Sequence, residues 1–285
     1  MPTYILTYDN RPITRVAGEN HFLSKTPTDW ETMSWHGLTN LNGMGIWSDG
    51  TNIYYSWDED QYVLNRSTKT WEPKVWYGLS SFRGGAVWYN TYSGKWVCSA
   101  RSVQKELTGS TWYDITWTGD MSSSEFATLT GSKIWLNGNS ANRRVYCTVD
   151  GYRYRLEGSR YWKFRGTSVS YNPLQIWYPH DFNTDGKTYY SYSNGTQMVI
   201  EDGTGSNISW GSIIPSYGQF VWTSSIHTYY SYNAHSYVLN DDKTSWSNKS
   251  WTGLNGVTLE GGYMWSDGES TYYSNGSTQL RLVVP

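Results

Sequence analysis

GIWSDGTNIYYSWDEDQYVLNRSTKTWEPKVWYGL, from Gly45 to Leu79, is the stretch on which the reading of the whole chain turns. Most of the chain beyond it is a worn copy. An apolar residue followed by Trp recurs at Ile46-Trp47, Val87-Trp88, Ile134-Trp135, Ile176-Trp177, Val221-Trp222 and Met264-Trp265, with steps of 41, 47, 42, 45 and 43 from one Trp to the next. A tyrosine-rich run comes next in IYYS, KTYYS, HTYYS and STYYS, and in divergent form in KWVC and RVYC. After it stands a short alternating run: QYVL, YRYRL, TQMVI, SYVL or TQLRL. A corner tryptophan closes each unit, at Trp30, Trp71, Trp112, Trp162, Trp210 and Trp246. In four copies another Trp stands five residues on, at Trp35, Trp76, Trp117 and Trp251.

Runs rich in Tyr, Trp, Val and Ile, separated by SDG, TDG, VDG and SNG, read as short strands joined by hairpin turns. No stretch keeps an apolar period of 3.6 over a dozen residues, so no substantial helix is expected. Four strands per unit, six times over, predict an all-β, six-bladed β-propeller with four-stranded blades. A stacked solenoid is the competitor. The ends of the sequence decide against it. The last copy stops after three of its marks, and its missing corner lies at Asp29-Trp30. The last blade is therefore expected to be closed by both termini, with Thr278–Val284 preferred over His21–Ser24 as its third strand. Residues 1–27 are expected to form an N-terminal arm or extra strand, and residues 28–285 a single propeller domain.

The net charge is −2 and only 16% of residues are charged, which suggests neither nucleic-acid nor membrane-surface binding. The N-terminus lacks the pattern of a signal peptide, and no apolar run has the ~20 residues that span a bilayer. Aromatics make up 18% of the chain, with 18 Trp and 26 Tyr. Their place in the repeat assigns them to packing between blades, where each ring can bury ~150–250 Å². Cys98 and Cys147 align with Ser56, Ser191, Ser231 and Ser274, and are expected to be free, structural thiols. WDED, Trp57–Asp60, reads as a solvated hairpin tip rather than a calcium loop, which needs six to eight oxygens. The unit from Arg143 to Arg165 is unusually basic. In RVYCTVDGYRYRL its cations alternate with apolar residues, so Arg153 and Arg155 are candidates for contacting an acidic partner or anionic glycan. The longest connection, IWYPHDFNTDG, carries Pro179, His180 and Asp181 and is a second, weaker candidate.

RGGAVW, NIYYS and QYVLNRSTKTW together resemble a kelch-type repeat over about residues 28–285, with Tyr62 to Trp71 and Tyr237 to Trp246 matching its last spacing. The kelch diglycine is replaced by YYS, which marks a divergent branch. The cadence also resembles repeat domains of tailed-bacteriophage virion proteins. That resemblance implies a tail or baseplate component, located in the virion if phage-encoded and otherwise cytoplasmic. Its partners would be other virion proteins or a host-surface glycan, with homo-oligomers in an assembly. No HExxH, GxSxG, P-loop or CxxC motif is present, so neither an enzyme nor a cofactor is expected. The alternative is a lectin-like propeller with Trp35, Trp76, Trp117 and Trp251 as outward sugar platforms. Arg and Glu do not recur beside them, which favours the structural or adhesive reading.

Overall fold

A computed structural model describes residues 5–8, 11–14 and 27–283, apart from 139–142, 168–175, 179–186, 202–203, 211–216 and 225–226. Its sheets form six blades of four antiparallel strands in a ring, a β-propeller. Blade one shows the plan: Ile46–Ser48, Ile53–Trp57, Asp60–Asn65 and Thr70–Pro73 pair in sequence order. Blade six is closed as expected. Thr278–Val283 pairs on one side with Thr271–Gly276 and on the other with Asp29–Thr32. Ile5–Tyr8 and Arg11–Thr14 form a hairpin that joins no blade sheet, and His21–Ser24 lies outside the described residues.

Four repeated devices hold the ring. At the hub, a glycine stands four residues before the first-strand Trp in Gly43, Gly84, Gly131, Gly218 and Gly261. It opens a short 3-10 turn that presses on the preceding blade. A Cβ on Gly84 would lie 2.2 Å from the Gly45 carbonyl oxygen, and one on Gly131 2.5 Å from that of Ala86. Only glycine permits that approach. Within the blade, the first-strand indole donates to a second-strand hydroxyl: Trp47 to Ser56 at 2.8 Å, Trp88 to Ser99 at 2.9 Å and Trp265 to Ser274 at 2.8 Å. Trp177 and Trp222 do the same with Ser191 and Ser231. Between blades, a third-strand glutamine donates both to its own hairpin and to the next blade. Gln61 reaches Phe82 O at 3.3 Å, Gln104 reaches Leu129 O at 3.0 Å and Gln279 reaches Leu41 O at 3.2 Å. Each of these bonds satisfies a backbone carbonyl of the neighbouring blade.

The fourth device is the rim. After the outer strand, four of the connectors run parallel to the outer strand of the next blade, in the pairs His36 with Thr70, Tyr77 with Thr111, Thr118 with Tyr161 and Thr252 with Asp29. Trp112 N donates to Tyr77 O at 2.8 Å. The glycine of WxGL comes immediately after. Gly78 has φ +76°, and a Cβ there would sit 2.2 Å from Trp112 O. Gly78→Ala combines left-handed strain with a backbone clash, and is expected to cost at least about 2 kcal/mol. Chemical denaturation followed by tryptophan fluorescence would show it as a lower midpoint, whereas an unchanged midpoint would mean that the rim is not needed.

Register corrects two alignments made from sequence alone. Cys98 and Cys147 do not share the serine position. Cys98 pairs with Val87 and Cys147 with Ile134, as Tyr55 pairs with Ile46, so the serine position belongs to Ser99 and Thr148. Both thiols are free, as expected, and both are fully buried; burial pushes that of Cys98 up to about 12. Trp210 is not a corner. Its blade's outer strand is Thr204–Asn207, where Gly205 faces Ile200 as Trp71 faces Leu64. The only α-helix among the described residues, Ser123–Thr128, is too short to leave a period and is held by a Ser122–Glu125 capping box.

Candidate functional site

The four platform tryptophans point inward. Trp76 lies 5.6 Å from Trp47 of its own blade, 6.0 Å from Trp112 of the next and 5.0 Å from Tyr54. Trp35, Trp117 and Trp251 are wedged in the same way against Trp71, Trp162 and Trp30. Trp35, Trp76 and Trp117 are no more than 5% exposed, and Trp251 is half-buried. Lys74 covers Trp76 at 4.7 Å, Lys249 covers Trp251 at 4.6 Å and Arg160 sits 5.7 Å from Trp117. Open sugar platforms are therefore not what these rings form. Five residues past the corner is where the chain crosses to the next blade, so the ring falls into the seam and gains about 4–6 kcal/mol gross from burial. Trp210 takes this role between blades four and five, 5.9 Å from Trp177 and 6.1 Å from Trp246.

Five seams thus carry a connector tryptophan. The seam between blades three and four carries none, because Trp162 is followed five residues later by Thr167. It also lacks a corner tryptophan, since Gly205 holds that place. Tyr178 fills part of the space, and its hydroxyl accepts from Leu136 N at 2.9 Å. Arg153 and Arg155 lie on the face of blade three that looks into this seam. Thr148 faces Arg153, and Tyr146 faces Arg155, which faces Lys163. Tyr146 stacks on Trp135 and packs in the cluster that contains blade four. Arg153 occupies the position that glutamine holds in blades one, two, four and six, and its guanidinium donates to Arg165 O at 2.8 Å.

Among the described residues, one carboxylate serves this face. Glu157 pairs with Arg155 and Arg165, and Lys163 lies 3.9 Å away. Arg160 is spoken for elsewhere, 2.8 Å from Glu106, which also binds Lys95 at 2.8 Å. The structure thus brings Arg153 and Arg155 together with Lys163 and Arg165, and separates them from the four tryptophans. The acidic hairpin tip is exposed as expected, but Asp58 is engaged by Arg83 at 3.0 Å, and that guanidinium lies 4.5 Å from the Trp57 ring. Pro179, His180 and Asp181 lie outside the described residues. Among the described residues no group of three or more His, Cys, Asp or Glu is gathered as for a metal ion. No helix there is long and apolar enough to cross a membrane.

No protein-family profile matches the chain, and no curated protein sequence matches it. Solved structures do. The extracellular domain of the two-component system protein BT4673 from B. thetaiotaomicron aligns with 95% of this chain and 37% of its own, at 13% identity and a TM-score of 0.50. Another structure of a BT4673 extracellular domain aligns with 90% of this chain and 42% of its own, at 9% identity and a TM-score of 0.50. YCF48 from Cyanidioschyzon merolae aligns over 91% and 97%, at 9% identity and a TM-score of 0.44. The chain spans about two fifths of the length of the sensor domains, at 37% and 42%. At such identities the likeness is one of fold.

Proposed function

We propose that this chain is a non-enzymatic contact propeller, a structural or adhesive ring that holds other proteins or a surface glycan. One observation carries the reading: among the described residues, the large apolar side chains left outside lie on one arc, blades one to four, with Tyr92 on the second and Tyr192 on the fourth. Val75 and Tyr77 are 67% and 64% exposed, and Tyr113, Tyr152, Tyr161 and Phe164 are exposed on the next two blades. Among the described residues, blades five and six expose no large apolar side chain. Tyr and Phe are enriched at protein interfaces, and clustered exposure marks contact sites. The repeat cadence supports the finer reading, a divergent kelch-like component of a bacteriophage particle. The alternative, a carbohydrate-binding propeller, draws on the cations of blade three.

Sedimentation velocity over about a hundredfold range of concentration tests the arc. Self-assembly that the double variant Tyr77→Ser, Tyr113→Ser weakens about tenfold or more supports it, since burial of one large aromatic is worth more than 1.4 kcal/mol. Self-assembly that the double variant leaves unchanged, or hydrolysis of a glycan in a substrate panel, overturns the reading.

A further inference from the structure

The seam between blades three and four departs from the other five in several ways that point to one chemistry. It lacks both wedge tryptophans. Its glutamine is replaced by Arg153. Arg153, Arg155, Lys163 and Arg165 share one sheet face with a single carboxylate, Glu157, while Arg160 is drawn off by Glu106. The Nε atoms of Arg155 and Arg165 are buried with no partner among the described residues. Deeper on the same face, Trp135 is the one first-strand tryptophan whose indole N–H finds no second-strand hydroxyl. Thr148 stands in the serine position, and its hydroxyl is unpartnered as well. Trp135 is 3% exposed and Thr148 7%.

Three of these four unpartnered groups only donate hydrogen bonds, and the fourth, a hydroxyl, can donate. A ligand that accepts without donating, an oxyanion, is what such a set completes. Exposure grades outward from Arg155 at 18% through Arg165 at 28% to Lys163 at 47%, so the cations open from the seam to the rim. Arg guanidinium groups grip planar carboxylates and sulfates with two bonds, which suits the inner pair, and Lys163 supplies a looser outer charge. At the rim end of the strand, two residues before Lys163, Tyr161 is 40% exposed with its hydroxyl donating to Asp120 at 2.8 Å, and offers an aromatic surface on which a sugar face can stack.

We propose that this seam binds an acidic oligosaccharide, one that carries a carboxylate or sulfate group. The proposal rests on the contact reading only in treating the ring as a binder. The two share Tyr161, but Tyr77 and Tyr113, which test the arc, take no part in this site, so the two can fail separately.

Isothermal titration of the full chain would use four probes: oligogalacturonate, dextran sulfate oligomers, uncharged dextran and polyglutamate. Saturable binding of one or both acidic sugars is expected, near one per chain, with affinity falling as salt rises. Arg165→Gln should weaken it about tenfold, the scale of one charge-assisted bond. Arg66→Ala on blade one, and the Tyr77→Ser, Tyr113→Ser pair, should leave it unchanged. Should Arg165→Gln fail to fold, Lys163→Ala, at a half-exposed site, takes its place with a weakening of about threefold. The proposal falls if neither acidic sugar binds or if dextran binds equally well. It also falls if the folded variants bind like the parent, or if polyglutamate competes on equal terms, which would make the site one for acidic protein.

Discussion

Removal of residues 277–285 is expected to abolish cooperative thermal unfolding. The strand lost, Thr278–Val283, lies in the middle of blade six, between Thr271–Gly276 and Asp29–Thr32. Without it the outer strand has no inner neighbour, and two sheet edges are laid bare. Leu280 and Leu282 leave a cluster that includes Trp30, Trp222 and Tyr273. The Gln279 bridge to Leu41 O goes with them, as does the Arg281–Glu31 pair. Burial of two leucines alone is worth about 3–6 kcal/mol, comparable with the whole net stability of many domains. Near-ultraviolet circular dichroism on heating is the measurement. A truncated chain that melts as sharply and as high as the parent would mean that the ring does not depend on this closure.

The next largest effect is expected at the joint between blades six and one. Asp267 is fully buried at the end of a first strand. Its carboxylate accepts from the amides of Glu269 and Ser270, from the Tyr272 hydroxyl at 2.8 Å and from Lys69 of blade one at 3.1 Å. Burial alone would push this carboxyl up. The Ser270 amide, the Tyr272 hydroxyl, the Glu269 amide and Lys69 outweigh it and hold it below the ordinary carboxylate range. Asp267→Ala leaves three donors and a cation without their acceptor. The expected loss is about 3 kcal/mol, at the low end for a broken buried pair because Lys69 is a third exposed.

The same carboxylate sets a pH dependence. Its depressed pKa in the fold means that unfolding takes up a proton in acid. The contribution is therefore complete above about pH 5, and drains away as pH falls through about 4 toward the folded value. The stability gap between parent and Asp267→Ala should accordingly narrow below about pH 4. A gap that stays constant from pH 7 to pH 3 would show that the carboxylate charge is not what binds this joint.

The repeat is legible because each mark answers to a physical demand. Trp47 needs Ser56 for its N–H, and Trp76 needs a seam to fill, so both kinds of residue recur and can be counted. Register is not legible. A tyrosine-rich run slides by one residue without any change in composition, and that slip puts Cys98 where Ser99 belongs. Trp210 passes for a corner because the true corner, Gly205, has no side chain to mark it. The hub glycines and the bridging glutamines stand in plain view in GMGIW, GGAVW and QYVL. Their purpose shows only once blades are set side by side, since the atoms they meet are carbonyls of a neighbouring unit. For the candidate site, alternation puts Arg153 and Arg155 on one face. Which seam that face looks into, and that this seam has lost its tryptophans, needs the fold.

A ring of six equal joints would offer six equal addresses, and anything that recognised one joint could crowd all of them. Here five joints carry a connector tryptophan and the sixth does not: blade three meets blade four without either tryptophan and with arginine where four of the blades have glutamine. The circle therefore has an orientation. Whatever docks there docks once per chain and always at the same angle, so multivalency must come from the number of rings, not from the number of blades.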